Sequence, residues 1–164
     1  MPSKKLLELR NTIASKDYNY LVAVDPSCRR AGYAIFAHCS KLIESGNMIG
    51  DSEKIINEFI KICKTVNGIV LFVFEKPEFY GPTSLGAQTG SVIPLARIEG
   101  ILLGAAKSFG DVFELTPREW KGQLPKKITT KKVNEICNMT LKSTGKNSDE
   151  ADAIAIGLRV LGEF

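Results

Sequence analysis

The sequence predicts an α/β domain built on a mixed five-stranded sheet, with elements in the order βββαβαβαα. Two observations carry this. Uninterrupted apolar, β-prone runs at residues 20–24 and 69–74 have the character of strands buried on both faces. Between them lies a segment whose apolar residues recur at helical spacing, so the second strand returns through a helical crossover and runs parallel to the first. At 164 residues and 18.0 kDa the chain has the size of one domain, enough to bury roughly 70% of its unfolded surface. Its 44% hydrophobic and 24% charged residues match ordinary globular proteins and argue against disorder or low complexity.

The elements follow in order. Residues 1–17 carry Leu6, Leu7 and Ile13 among charges and read as a short helix appended to a domain spanning 18–164. The first strand closes on Asp25-Pro26-Ser27, a turn sequence. Runs at 31–37 and 41–48 are shorter and β-prone, and extend the first strand into an antiparallel three-stranded meander. At 51–66 the stripe Ile55, Ile56, Phe59, Ile60 and Cys63 marks a helix that Asp51 or Ser52 can cap. After the break at Asn67-Gly68 comes the second buried strand, ended by Glu75-Lys76-Pro77. Residues 81–90 form a loop rich in Gly, Ser and Thr. A helix over 95–108 follows, with Pro94 at its start or at a kink and Gly100, Gly104, Ala105 and Ala106 allowing close packing. A short strand at 112–115, a basic helix over 129–141 and an amphipathic helix over 149–161 complete the order.

Several function classes drop out. The longest apolar runs, at 21–24 and 69–74, are far short of the ~20 residues a membrane span needs. The opening Met1-Pro2-Ser3-Lys4-Lys5 leads into a polar segment and not a secretory leader. Cys28, Cys39, Cys63 and Cys137 lack the spacing of a zinc site, and His38 is the single histidine, so reduced thiols in a cytoplasmic compartment are expected. No phosphate-binding Gly-x-x-x-x-Gly-Lys loop is present.

The net charge of +4 is unevenly spread. Residues 116–146 hold Arg118, Lys121, Lys126, Lys127, Lys131, Lys132, Lys142 and Lys146 against Glu119 and Glu135. A basic segment beside an acidic remainder points to an anionic partner, nucleic acid being the commonest, although a solvated lysine-rich face has the same composition. The acids are arranged differently. Asp25 and Glu75 each stand where an apolar strand leaves the core, and parallel neighbours bring such ends together. Asp149 and Asp152, three apart, share a face of the last helix with Ile156. Each has an ordinary reading as a turn or helix-start residue. As a cluster they repel and are costly to bury, so they are tenable mainly where a cation offsets the charge. Oxygen-only ligands select a hard ion, Mg²⁺ or Mn²⁺.

At this point the sequence resembles the RuvC-like Holliday junction resolvases of the RNase H-like superfamily, with a viral or phage version suggested by its divergence. Val22-Ala23-Val24-Asp25-Pro26-Ser27-Cys28-Arg29-Arg30-Ala31-Gly32-Tyr33 is similar to the family's opening strand and return. Phe74-Glu75 resembles its second acidic strand end, and Thr116-Pro117-Arg118-Glu119-Trp120-Lys121 its Pro-Arg-x-x-Lys stretch. Asp149-Glu150-Ala151-Asp152-Ala153-Ile154-Ala155-Ile156 resembles its closing helix.

The resemblance implies an RNase H-like fold with helices on both sheet faces and a Mg²⁺-dependent endonuclease, with Mn²⁺ as substitute. Asp25, Glu75, Asp149 and Asp152 would bind two divalent ions for hydrolysis of the scissile phosphate. It assigns Lys121 to the phosphate near the cut, and Lys131 or Lys132 to a second basic contact. Phe79 and Tyr80 become candidates for an aromatic wedge at the junction centre. Arg118, Lys126 and Lys127 join the expected DNA-contacting set. The implied partner is branched DNA, four-way junctions above all, cut at symmetric positions by a homodimer in the cytoplasm of a bacterium or virus-infected cell.

Two rivals remain from the sequence: a nuclease of the same fold acting on RNA or RNA–DNA hybrids, and a catalytically silent DNA-binding module. A sugar-kinase or actin-like ATPase shares the Asp-turn-Gly opening but requires two such domains, more than this length provides. His38 and Cys28 read as surface and turn residues, and Trp120 as an anchor for the Pro117 loop.

Overall fold

A computed structural model describes residues 2–78, 90 and 92–164. Helix α1 (Lys4–Ser15) is followed by β1 (Tyr20–Asp25), β2 (Arg30–Ala37), β3 (Lys41–Ile49), α2 (Ser52–Thr65) and β4 (Val70–Glu75). Then come α3 (Val92–Ala106), β5 (Asp111–Leu115), α4 (Pro117–Trp120), α5 (Lys126–Cys137), a 3₁₀ turn (Gly145–Asn147) and α6 (Ser148–Leu161). The five strands form one mixed sheet in the order β3-β2-β1-β4-β5. As expected, β1–β2–β3 is an antiparallel meander, and β4 pairs parallel with both β1 and β5.

Alternation along β1 explains its apolar run. Leu21 and Ala23 enter a core layer with Leu71, Val73 and the apolar face of α6, while Val22 and Val24 enter the opposite layer with Phe72, Phe74, Phe59 and Ile98. All four β1 residues are fully enclosed. Helix α2 is capped by Asp51, whose Oδ1 accepts from Lys54 N–H at 2.9 Å. It sets Phe59 edge-on to Phe72 and Phe74, with centroids 6.0 and 5.8 Å apart. Such pairs contribute about 1 kcal/mol each beyond burial.

Helix α6 carries most of the first layer: Ala151 and every residue from 153 to 157 are buried. It lies very close to the meander at two glycines. A Cβ on Gly157 would come 2.1 Å from the Phe36 ring, and one on Gly32 1.9 Å from the Asp149 carbonyl oxygen. These approaches bring the start of α6 against the β1–β2 return.

Three elements differ from the sequence expectation. The helix expected over 95–108 runs over Val92–Ala106, whereas the helix expected within 1–17 forms as α1, its Leu6 and Leu9 fully enclosed in the same layer as Trp120 and Leu115. The basic helix expected over 129–141 runs instead over Lys126–Cys137. Pro125 precedes its first residue, and Asn138 turns left-handed at its end (φ 53°). Beyond that turn the Asn134 side chain brackets Leu141, accepting from its N–H at 2.8 Å and donating to its carbonyl at 2.9 Å, which folds the chain back. The short helix α4 follows Thr116, where no helix was expected. The Gly/Ser/Thr-rich loop at 81–90 lies almost entirely outside the described residues. No helix among the described residues is long and apolar enough to cross a membrane.

Candidate active site

The parallel register of β1 and β4 aligns Val24 with Phe74, so Asp25 and Glu75 are neighbouring residues at the carboxyl ends of adjacent strands. The first turn of α6 brings Asp149 and Asp152 to the same end. Asn47 Oδ1 accepts from the Glu150 N–H at 3.1 Å and Ser45 donates to Glu150 Oε1 at 2.7 Å, fixing that turn to β3. The four predicted acids therefore meet, delivered by three elements.

Their electrostatics record the crowding. Burial, and then the charges of Glu75, Asp152 and Asp149, push the Asp25 carboxyl well above the ordinary carboxylate range, with Lys126 opposing. Glu75 is also raised, first by burial. Lys121 and a hydrogen bond from Trp120 pull it down, Asp152 pushes it up and Lys126 pulls it down.

Protein cations and donors occupy parts of this cluster. Arg30 Nε donates to Asp149 Oδ2 at 2.6 Å, and the Ser148 hydroxyl donates to Oδ1 at 3.1 Å. The Lys126 ammonium pairs with Asp152 Oδ2. The Trp120 indole donates to Glu75 Oε2 at 2.6 Å. Burial lowers Lys126, but its hydrogen bond to Asp152 and the charges of Asp152, Asp25 and Asp149 outweigh this and raise it above the usual lysine range.

With these donors in place, no group of three or more His, Cys, Asp or Glu side chains among the described residues is arranged to hold a metal ion as it stands. The donor set nonetheless suits one. It consists of hard oxygens, burial and neighbouring acids raise the pKa of two members, and Asp152 Oδ1 is buried with no hydrogen-bond partner among the described residues. A divalent cation entering here would satisfy that oxygen and replace the ammonium at Asp152.

The predicted basic residues divide. Lys121 lies beside the site, its charge lowering Glu75 and its ammonium 5.0 Å from the Trp120 ring centroid. Lys126 is inside it. Lys131 pairs with Glu135 at 3.6 Å on the exposed face of α5, and Lys132 sits over the Phe164 ring, so neither is brought to the acids. Arg118 and Lys127 are exposed. Lys127, Thr130, Lys131, Asn134 and Lys142 line an open groove of about 600 Å³ outside α5. Phe79 and Tyr80 lie outside the described residues.

Two contributors were not singled out in the sequence. Arg30 had no signal beyond its place in the β1–β2 return. Trp120 was read as a loop anchor, and it is fully buried, but its indole N–H also reaches an acid of the site.

The sequence pattern of the crossover junction endodeoxyribonuclease RuvC family matches residues 21–159. Among solved structures, Thermus thermophilus RuvC in complex with a Holliday junction substrate is 17% identical, with a TM-score of 0.64 over 87% of this chain and 92% of that one. The Fowlpox virus resolvase in complex with Holliday junction DNA is 19% identical, with a TM-score of 0.56 over 88% and 97%. At these identities the likeness is one of fold, and it matches the fold class expected from the sequence. No curated protein matches the chain in sequence.

Proposed function

The chain belongs to the RuvC family of crossover junction endodeoxyribonucleases, and from that premise we propose that Asp25, Glu75, Asp149 and Asp152 form a two-cation centre, Mg²⁺ or Mn²⁺, that nicks four-way DNA junctions. The observation that carries the site assignment is Asp152 Oδ1, a buried carboxylate oxygen with no hydrogen-bond partner among the described residues, in the midst of three other acids. When bound, such cations supply a water of lowered pKa and offset charge on the scissile phosphate.

The chain's own groups do the rest. The four carboxylates would fix the place of the cations. Lys121, beside Glu75 and over the Trp120 ring, is positioned to bind a phosphate oxygen next to the cut. Lys126, on release from Asp152, supplies a second positive charge at the same edge. The groove outside α5 offers Lys127, Lys131 and Lys142 to the backbone of a junction arm. No covalent enzyme intermediate is required.

Paired nicks follow from symmetry, since a two-fold dimer presents two equal centres to a two-fold junction. Ile93 (80% exposed) and Ile101 (40%) on α3 leave apolar surface beside α2 for a second copy.

The test is cleavage of a four-way junction, a linear duplex and an RNA–DNA hybrid, each with and without Mg²⁺. The junction is expected to be cut fastest, and only with the cation; preference for the hybrid would overturn the substrate assignment. Asp25→Asn is expected to abolish cutting while junction binding persists.

A further inference from the structure

Trp120 closes α4 and is completely buried. Its surroundings fix it from both ends. At the start of α4, Thr116 and Glu119 cap each other: the Glu119 N–H donates to Thr116 Oγ1 at 3.3 Å and the Thr116 N–H to Glu119 Oε2 at 2.8 Å. At its end, the Trp120 carbonyl accepts from Arg159 Nε at 2.9 Å.

Both anchors lead to α1. Lys5 lies 3.5 Å from Glu119 Oε2. Arg10 donates to the carbonyls of Arg159 at 2.6 Å and Val160 at 3.3 Å, at the end of α6. Leu6 and Leu9 pack in the same apolar layer as the indole. Helix α1 thus links α4 to the carboxyl end of α6 and closes a ring around Trp120. It lies wholly before residues 21–159, the part that matches the family.

An indole N–H can only donate, and a fully packed ring has one orientation. Its 2.6 Å bond to Glu75 Oε2 therefore fixes the torsion of that carboxylate and directs Oε1, which has no hydrogen bond among the described residues, as the second acceptor. We infer that Trp120 is a positioning residue for Glu75 and that α1 is the clamp that keeps it in place. This rests on the reading of Glu75 as a cation ligand. It gives α1, which lies outside the matched residues, a role in the site through a chain of contacts and not through any contact with DNA.

Trp120 is the only tryptophan in the chain, so emission excited at the tryptophan band comes from this one indole and reports on its surroundings, the Glu75 contact among them. Mg²⁺ titration of the full-length protein is expected to change the emission with the same midpoint as Mg²⁺ binding by calorimetry. Trp120→Phe keeps an aromatic ring, though a smaller one, and removes the donor; it should weaken Mn²⁺ binding about ten-fold, as loss of an outer-shell partner does. Phe59→Leu, which loosens the opposite core layer, should lower the melting temperature and leave Mn²⁺ affinity unchanged. Arg10→Ala, which touches neither the indole nor the acids, should weaken binding roughly three-fold through the clamp.

Emission indifferent to Mg²⁺, or Mn²⁺ binding within two-fold of wild type in Trp120→Phe while Glu75→Gln has lost it, would overturn the positioning role. Unchanged affinity in Arg10→Ala would overturn the clamp. Undiminished binding in Glu75→Gln would instead remove the cation-site reading, and the inference with it.

Discussion

The ammonium of Lys126 rests on one oxygen of Asp152, while the other oxygen of the same carboxylate is buried with no hydrogen-bond partner among the described residues. A lysine thus neutralises an acid that the proposed chemistry needs for a cation. Removing the lysine leaves an enclosed charge uncompensated. Since the Lys126 side chain is 37% exposed, the loss is set below that of a fully buried pair, at about 2 kcal/mol. Lys126→Met should accordingly lower the cation-free melting temperature by roughly 4–8 °C. Added Mg²⁺ should raise the melting temperature of the variant more than that of wild type, because no ammonium has to be displaced. Equal Mg²⁺ increments in the two proteins would show that lysine and cation do not compete.

Gly32 predicts a second outcome. A methyl group there meets the Asp149 carbonyl carbon at 2.2 Å and the Glu150 nitrogen at 2.7 Å, both main-chain atoms of the first turn of α6. Main chain cannot rotate out of the way, so Gly32→Ala should cost about 1–3 kcal/mol and displace Asp149. Gly157→Ala meets a side chain, Phe36, far along the same helix. Both variants should melt earlier, but at a temperature where both are folded only Gly32→Ala should lose junction cutting. Equal cutting by the two would separate the glycine from the site.

The third outcome concerns pH. Glu99 of α3 is almost fully buried, and burial followed by the hydrogen bond and charge of Glu114 push its carboxyl up to about 7, with Lys76 opposing. The folded state then holds the proton more tightly than the unfolded chain, so stability should fall as pH rises from about 4.5 to about 7. Asp25 and Glu75, also raised, add slope of the same sign, which makes the difference between proteins the informative quantity. Glu99→Gln removes one contribution and should gain stability over wild type at pH 8 relative to pH 5. Urea unfolding at the two values checks this; an identical difference at both would mean that Glu99 is ionised throughout.

How much of this was legible in the sequence depended on whether short-range pattern or packing decides. The runs at 20–24 and 69–74 stood out because both faces of β1 and β4 are buried, and a strand end carrying an acid is visible as soon as the strand is. Asp149 and Asp152 were readable from helical spacing. The partners of those acids were not. Lys126 reaches Asp152 because α5 starts directly after Pro125, three residues before the expected start at 129, while Lys131 pairs with Glu135 and Lys132 lies over Phe164. Arg30 and Trp120 are joined to Asp149 and Glu75 by contacts across more than forty positions of sequence, which no local periodicity encodes. The weak amphipathicity of residues 1–17 likewise hid that Leu6 and Leu9 are sealed by α6, at the far end of the chain.

Helix α6 has one more consequence, for the order of events during synthesis. It contributes Asp149 and Asp152, and it fills the layer beneath β1 and β2, yet it begins only at Ser148. A nascent chain or a truncated product ending before that residue has two of the acids and an open sheet face, so the full quartet comes into being only with the last helix. Unfinished copies thus lack two of the four acids of the proposed centre.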